Sequence, residues 1–229
     1  EDNMNTSKNL NIASYIDHTL LKPEASQVQI EKLCQEAMEN HFFAVCVNSY
    51  WVSLCKKILS NSQVKVCSVI GFPLGAMSTE AKSFETSYCI DAGADEIDMV
   101  LNIGLIKSKE LILAEQDIKM VVNAAQGKTV KVILETCLLN HEEKIHACKM
   151  SLSAGAHFVK TSTGFSTSGA NLEDIKLMRE TVGSQMKLKA SGGIKNLSQA
   201  QAYIDAGVSR LGTSSGIEIL NGLTASSNY

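Results

Sequence analysis

The sequence lacks the features that mark several large classes of protein. No apolar run approaches the roughly 20 residues that cross a bilayer. The first residues, EDNMNTSKNLN, lack the basic and apolar regions of a secretory signal. A formal net charge of -3 gives no general attraction to nucleic acid or to acidic membrane surfaces. We therefore expect a soluble, cytoplasmic protein that binds neither nucleic acid nor membranes.

The cysteines and histidines show no spacing that is typical of a disulfide framework or a metal site. The seven cysteines are spread along the chain without a C-x-x-C pair, as expected for reduced thiols. The five histidines lack ligand spacing such as H-E-x-x-H. No P-loop or dinucleotide fingerprint occurs either. We expect no metal site.

What the sequence does contain is a regular alternation of strand-like and helix-like segments. The 229 residues are 45% apolar, enough for one large core, and no Pro/Gly/Ser-rich linker divides them. The alternation predicts parallel β/α units, and eight of them fit a single-domain (β/α)8 TIM barrel. The predicted strands are residues 14–20, 44–48, 65–72, 96–102, 131–136, 157–163, 187–191 and 210–214. We expect the barrel over residues 10–223, between a flexible segment at 1–9 and a mobile tail at 224–229.

Three similar decapeptides, DAGADEIDMV, SAGAHFVKTS and DAGVSRLGTS, support the barrel. Each carries Ala-Gly before a predicted strand, with the glycines at Gly93, Gly155 and Gly207. A helix must stop and turn at these points, where a positive φ is often required. This repeat informs the fold and not the chemistry.

Two lysines stand inside predicted strands that are otherwise apolar. Lys160 in HFVKTSTGF and Lys189 in MKLKASGGI lie late in strands six and seven, and Asp98 in EIDMV lies similarly in strand four. Active sites of this fold lie at the C-terminal ends of the strands, so the three side chains should share one pocket. A single lysine could instead cap a layer of the barrel or reach solvent. The joint placement of all three favours a site.

Two ammonium groups in one partly dry pocket each disfavour the charge on the other, and desolvation acts in the same direction. A neutral amine can attack a carbonyl to form a Schiff base, while Asp98 and the second lysine pass protons. The residues alone do not decide which lysine is the nucleophile.

Glycine- and hydroxyl-rich stretches follow the last three strands. They are TSTG (161–164, with Thr161 and Gly164), SGG (191–193, with Gly192 and Gly193) and GTSSG (212–216, with Ser214 and Ser215). Loops after strands seven and eight often bind phosphate through backbone N–H groups. Any one stretch is an ordinary turn, but together they predict a phosphate-carrying substrate.

The assembled motifs resemble the deoxyribose-phosphate aldolase family of class I aldolases. They occur in order over nearly the whole chain: YIDHTLLKPEA, VCVN, SVIGFPLG, GADEIDMVLNIG, KVILET, FVKTSTGF and KASGGI. The resemblance implies reversible cleavage of 2-deoxy-D-ribose 5-phosphate to D-glyceraldehyde 3-phosphate and acetaldehyde. It implies no metal or organic cofactor and a small phosphosugar as the substrate. The sequence does not reveal the oligomeric state, for which a homodimer is one option.

The resemblance also assigns roles. Lys160 would form the Schiff base, and Lys189 and Asp98 would transfer protons. The remaining residues implied are Asp17 and Thr19 in the sugar pocket, Cys46 near the aldehyde, Gly164, Gly193, Ser214 and Ser215 at the phosphate, and Tyr229 as a proton relay. Phe165 is a departure, because some members carry a lysine there.

Two other functions remain open from the residues. One is a different phosphosugar lysine aldolase, such as a transaldolase-like enzyme or a ketose bisphosphate aldolase, whose larger donor needs additional polar partners. The other is a phosphosugar-binding or regulatory barrel without catalysis. The set of Lys160, Lys189 and Asp98 argues against the latter, because buried charge is costly to retain without a use.

Overall fold

Eight parallel strands close into a barrel in chain order, and strand β1 pairs with both β2 and β8. The computed structural model describes residues 12–226, so the predicted segment 1–9 and Tyr229 lie outside the described residues. The strands are β1 Ile16–Leu20, β2 Ala44–Val47, β3 Lys65–Ile70, β4 Glu96–Val100, β5 Thr129–Ile133, β6 Phe158–Lys160, β7 Lys187–Ser191 and β8 Arg210–Thr213. The predicted (β/α)8 barrel is confirmed.

Helices connect the strands on the outside of the barrel. They are α1 Gln27–Glu39, α2 Val52–Ile58, α3 Thr79–Asp91, α4 Ile103–Lys107, α5 Leu111–Ala124, α6 His141–Ser153, α7 Leu172–Val182, α8 Leu197–Asp205 and α9 Gly216–Leu220. Single 3₁₀ turns occupy Ser49–Trp51 and Thr136–Leu138. Between residues 12 and 226, none of the helices is long and apolar enough to cross a membrane.

Local sequence sets where these helices begin and end. The side chains of Asn140, Asn171 and Asn196 accept a hydrogen bond from the backbone N–H three residues on, which caps α6, α7 and α8. At the other end, Gly93, Gly155 and Gly207 follow α3, α6 and α8 with φ of 106°, 84° and 93°. These values confirm the positive φ predicted from the Ala-Gly repeat.

Apolar packing is divided unequally between the two faces of the sheet. The main core lies between the strands and the surrounding helices and includes Ile30, Ile97 and Ile118, all fully buried. Inside the barrel the apolar cluster is small: Leu21, Cys46, Cys67 and Val69, with Phe72 packed against it. Stability therefore comes mainly from the outer face, which leaves the interior available for polar groups.

Seven of the eight strands differ from their predicted limits by one to three residues, and the differences at β5 and β6 affect the site. β5 begins at Thr129, two residues before the predicted start, and ends at Ile133 because Glu135 adopts a left-handed φ of 52°. β6 ends at Lys160, and after it both the N–H and the hydroxyl of Thr163 donate to the carboxylate of Glu135. The earlier start of β5 places Lys131 in the middle of a strand, facing the barrel interior.

Gly75 tests how tightly the loop after β3 packs on β4. Its φ is 67°, and a Cβ there would lie 2.1 Å from the carbonyl oxygen of Leu101. We expect Gly75→Ala to lower the free energy of unfolding by about 2 to 4 kcal/mol, through the left-handed backbone and the collision together. Chemical denaturation measures the loss.

Gly127→Ala is the matched control for that measurement. Gly127 has a φ of 81°, but nothing lies within 4 Å of the position of an added Cβ. Only the backbone term should remain, about 1 kcal/mol. Equal losses for the two variants would show that the contact with Leu101 does not constrain the loop.

Candidate active site

Alternate residues of the parallel strands face the barrel interior and bring the predicted lysines together. Lys160 on β6 and Lys189 on β7 are register partners. Asp98 on β4 is the partner of Lys131 on β5. All four side chains are buried, with Lys160 only 2% exposed at the C-terminal end of its strand. The site is thus built from regular strands, which fix the side chains more rigidly than loops.

The carboxylate of Asp98 joins these amines. Its Oδ2 accepts hydrogen bonds from Nζ of Lys160 at 2.9 Å and Nζ of Lys189 at 2.8 Å. Its Oδ1 accepts from Nζ of Lys131 at 2.8 Å. Burial would raise the pKa of Asp98, but the three ammonium groups outweigh it and hold that pKa well below its usual range. Asp98 is therefore ionised and locked in orientation.

Lys189 lies between two carboxylates. It donates to Asp98 and also to Oδ2 of Asp17 on β1. Burial disfavours its charge, but Asp17 and Asp98 outweigh that effect and raise the pKa of Lys189 well above its usual range. Lys189 is the protonated lysine of the pair. Asp17, predicted to line the sugar pocket, is an ionic partner of Lys189.

A second group of charged side chains, on β4, β5 and β8, contacts the first group inside the barrel. Lys131 donates to Oε2 of Glu96 at 2.6 Å, and Nε of Arg210 donates to Oδ1 of Asp17 at 2.8 Å. The guanidinium of Arg210 also donates to both oxygens of Glu96 and lies 3.4 Å from the centroid of the Phe43 ring. We name Glu96, Lys131 and Arg210 the lower ionic layer.

The sequence analysis missed this layer, although a signal was present. Glu96 stands two residues before Asp98 and therefore faces the same side of β4. The same i, i+2 relation links Arg210 to Gly212 on β8. The predicted strand begins at Lys131, whereas in the structure Lys131 is the third residue of β5.

Lys160 has fewer partners than its neighbours. Among the described residues, its salt bridge is to Asp98, through an oxygen that Lys189 shares. Its strand then continues into the loop that carries Gly164. An amine in this position is the one best placed to meet a substrate entering from the C-terminal end of the barrel.

Gly212 provides the space that Lys189 occupies. A Cβ at Gly212 would lie 3.1 Å from Cε of Lys189 and 2.9 Å from Cβ of Ser191. A larger residue on β8 would push the Lys189 side chain away from Asp98. Gly212 is therefore needed to leave room for the Lys189 side chain.

A polar cavity of about 270 Å³ is formed by the loops that follow β6, β7 and β8. It brings together five of the predicted residues: Gly164, Gly192, Gly193, Ser214 and Ser215. The sequence analysis missed its other residues, among them Ser166, Thr167, Ser168 and Lys195. Lys195 adds a cationic side chain to this wall, so the cavity suits an anion.

Close backbone packing shapes this cavity. Ala170 donates its N–H to the carbonyl oxygens of Ser191 and Gly192 at 3.0 and 3.1 Å. A Cβ at Gly169 would lie 2.2 Å from the carbonyl oxygen of Gly192. The loop after β6 can therefore lie on the loop after β7 only because Gly169 has no side chain.

Two predicted residues have structural partners. The hydroxyl of Thr161 accepts from the N–H of Ser191 at 3.1 Å and so ties β6 to β7, rather than lining the anion cavity. The hydroxyl of Thr19 donates to the carbonyl oxygen of Asp17 at 2.8 Å.

Cys46 lies in the barrel interior, where its thiol, the thiol of Cys67 and a carboxylate oxygen of Asp98 lie within 4.8 Å of one another. Such donors can bind a soft metal ion. Here the oxygens of Asp98 already accept from three lysine amines, and the positive charges of Lys131 and Lys189 repel a cation. The trio therefore does not fit a metal ion.

Two aromatic rings meet at the rim of the barrel. The rings of Phe72, after β3, and Phe165, after β6, contact edge to face with centroids 5.3 Å apart. Phe165 is 42% exposed and follows Gly164 of the anion cavity. The position where some family members carry a lysine is thus part of an apolar rim, and the cavity relies on Lys195 and backbone N–H groups.

Comparison with known proteins agrees with this geometry. Residues 11–222 match the DeoC/LacD family aldolase profile. Proteins named deoxyribose-phosphate aldolase from Bdellovibrio bacteriovorus and Streptococcus gordonii are each 59% identical over 220 residues, covering 96% of this chain and all of theirs. A solved deoxyribose phosphate aldolase from Aeropyrum pernix, described as a unique tetrameric structure, is 33% identical with a TM-score of 0.88. That match covers 93% of this chain and 91% of the other. Sequence, fold and site agree, and the chain belongs to the DeoC/LacD family of aldolases.

Proposed function

We propose that this aldolase reversibly cleaves 2-deoxy-D-ribose 5-phosphate to D-glyceraldehyde 3-phosphate and acetaldehyde through a Schiff base on Lys160. The observation that carries the proposal is the position of the Lys160 amine, which donates to one shared carboxylate oxygen at the end of β6, the strand whose following loop lines the anion cavity. The names of the relatives from Bdellovibrio bacteriovorus and Streptococcus gordonii support the choice of substrate.

The geometry supports a defined sequence of proton transfers. Neutral Lys160 attacks the C1 aldehyde of the open-chain sugar, and loss of water gives the protonated imine. Removal of the proton from the C3 hydroxyl breaks the C2–C3 bond, releasing glyceraldehyde 3-phosphate and leaving an enamine. Protonation of the enamine carbon and hydrolysis then release acetaldehyde and the free amine. Asp98, which accepts from the Lys160 amine at 2.9 Å, and Lys189, which donates to the same oxygen at 2.8 Å, are the proton-transfer groups.

The anion cavity would hold the 5-phosphate. Its glycine-rich loops approach the ligand closely, and the side chain of Lys195 supplies positive charge. The chemistry needs no metal or organic cofactor, because the protonated imine itself withdraws electrons from the breaking bond. We propose that Tyr229, which lies outside the described residues, relays the proton to the enamine carbon.

The size of the donor favours this reaction over those of other lysine aldolases. The apolar cluster inside the barrel, Leu21, Cys46, Cys67 and Val69 with Phe72, offers a small apolar surface. Such a surface suits the methyl group of acetaldehyde better than the hydroxyl groups of a dihydroxyacetone donor. A barrel that only binds phosphosugars would have no use for amines buried beside the cavity.

We also propose a cytoplasmic location and a homodimer as the assembly. Phe84 and Tyr88 lie one turn apart on α3 and are 76% and 50% exposed, so the outer surface carries apolar side chains that a second copy could cover. Light scattering of the purified protein separates a monomer, a dimer and the tetramer described for the relative from Aeropyrum pernix.

Lys160 provides the direct test of the proposed function. Lys160→Met and Lys160→Arg should abolish turnover while leaving the protein folded, because neither side chain supplies a neutral amine. Borohydride reduction with acetaldehyde, followed by peptide mass mapping, should modify Lys160 in the parent. Modification of another lysine, or substantial aldolase activity in either variant, would overturn the mechanism.

Lys189→Leu tests the proton-transfer role. Removing this cation leaves Asp17 and Asp98 with one ammonium partner fewer, and it removes a positive charge beside the reacting amine. We expect turnover to fall about a hundredfold, and the rising limb of the pH–rate profile to move to higher pH. A profile with the parental height and midpoint would show that Lys189 is not coupled to the reaction.

Gly169→Ala tests the anion cavity. The added methyl collides with the carbonyl of Gly192, so the loop after β6 must move away from the cavity. We expect KM for the phosphorylated sugar to rise about tenfold, with little change for free deoxyribose. Gly104→Ala is the control, because its nearest neighbour would be a side-chain oxygen 3.3 Å away. A parental preference for the phosphorylated sugar in Gly169→Ala would remove the phosphate assignment.

A further inference from the structure

The charges inside the barrel do not balance. Its cations are Lys131, Lys160, Lys189 and Arg210. Its carboxylates are Asp17, Glu96 and Asp98. If every group is ionised, four cations face three carboxylates, so the buried cluster carries one uncompensated positive charge. Such a charge in a dry interior is strongly disfavoured, and the cluster should release one proton.

Contacts decide which group releases it. Lys131 contacts Glu96 and Asp98, Lys189 contacts Asp17 and Asp98, and Arg210 contacts Asp17 and Glu96. For Lys131, Lys189 and Arg210, burial opposes the charge, but the carboxylates outweigh it and raise the pKa. Lys160 instead shares one oxygen of Asp98 with Lys189. Among the described residues, it is therefore the cation of the cluster with the fewest carboxylate contacts.

Among the described residues, none of the other titratable groups near this cluster forms a salt bridge with it. Cys46 on β2 and Cys67 on β3 complete the ring of strands around it. Burial raises the pKa of Cys67 well above its usual range, whereas the hydrogen bond with Cys67 outweighs burial and lowers the pKa of Cys46. Glu135, above β5, accepts hydrogen bonds from the N–H and the hydroxyl of Thr163.

We propose that the lower ionic layer, Glu96, Lys131 and Arg210, consists of positioning residues that determine the charge on Lys160. Lys131 and Arg210 fix Asp98 and Asp17, and the layer as a whole adds two cations but only one carboxylate. Without it, Lys160, Lys189, Asp17 and Asp98 would balance and both lysines would stay protonated. The inference rests on the proposed function, because only imine formation requires a neutral Lys160.

The test measures the charge on Lys160 without relying on aldolase activity. The full-length protein is labelled with trace acetic anhydride across a range of pH, and acetylation of Lys160 is quantified by peptide mass spectrometry. Only the neutral amine reacts, so the pH midpoint of labelling reports where Lys160 loses its proton. An amine closed to this small reagent at every pH would overturn the proposal, since it would also be closed to an aldehyde.

Single variants should move this midpoint in opposite directions. Glu96→Gln leaves four cations against two carboxylates and should lower the midpoint by about one pH unit. Lys131→Met leaves three against three and should raise it by about the same amount. Loosening of the barrel would expose Lys160 in both variants and shift both midpoints the same way. Shifts of equal sign, or no shift, would overturn the proposal.

A double variant separates the effect of charge from that of misfolding, because each single substitution leaves a buried partner unpaired. Glu96→Gln with Lys131→Met leaves three cations against two carboxylates, the parental excess of one. Its midpoint should return to the parental value, and a midpoint displaced in either direction would contradict charge balance as the cause.

Surface variants provide the matched controls. Lys107 and Glu143 form a salt bridge at 2.6 Å in which the Lys107 side chain is 48% exposed. Lys107→Met and Glu143→Gln change the net charge as the interior variants do, and neither should move the Lys160 midpoint, because solvent screens these charges. A shift equal to that of the interior variants would mean that net charge, not the layer, is responsible.

Borohydride trapping with acetaldehyde separates failure of this inference from failure of the proposed function. If the parent is trapped on Lys160 while Glu96→Gln and Lys131→Met keep the parental midpoint, the layer has no charge-setting role but the aldolase mechanism stands. If trapping falls on another lysine, the proposed function fails, whatever the labelling midpoints show.

Discussion

The site depends on one constraint: charges buried inside a closed barrel must compensate one another, because water cannot reach them. The carboxylate of Asp98, which accepts from three lysines, is the centre of that compensation. Removing either partner of such a contact leaves the other uncompensated, so the interior ions hold each other in place. Catalytic geometry and charge state therefore follow from the same set of contacts, and neither can be altered alone.

Because apolar packing lies mainly on the outer face of the sheet, the fold can tolerate charged groups in the barrel interior. The apolar core between strands and helices supplies most of the burial, while the interior cluster around Cys46 and Val69 is small. An ionic interior contributes little net stability compared with apolar packing of the same volume. Its presence is better explained by the reaction than by folding.

Much of the fold could be predicted from the sequence, because it depends on local signals. Alternation of strand and helix predicted eight β/α units, and the Ala-Gly repeat predicted the positive φ at Gly93. The clustering of Lys160 and Lys189 followed from their equivalent positions in adjacent strands. The lower ionic layer could not be predicted in the same way. The contact of Arg210 with Glu96 joins β8 to β4 across the barrel, so it depends on how the strands close and not on any local pattern. Because the predicted start of β5 was two residues late, the position of Lys131 in the middle of that strand was not predicted.

Gly212 shows what this arrangement means for changing the enzyme. The Lys189 side chain passes through the volume that a methyl group on β8 would need. A library that varies pocket residues to accept bulkier aldehydes would therefore find this position closed, while the exposed Phe165 on the rim leaves room for new shapes. Substitutions in the loops can change the substrate range of such a barrel. At the strand positions around the amines, only a few small residues fit. We therefore expect new specificity to arise from changes in the loops at the rim of the barrel and not from changes in the strand residues around the amines.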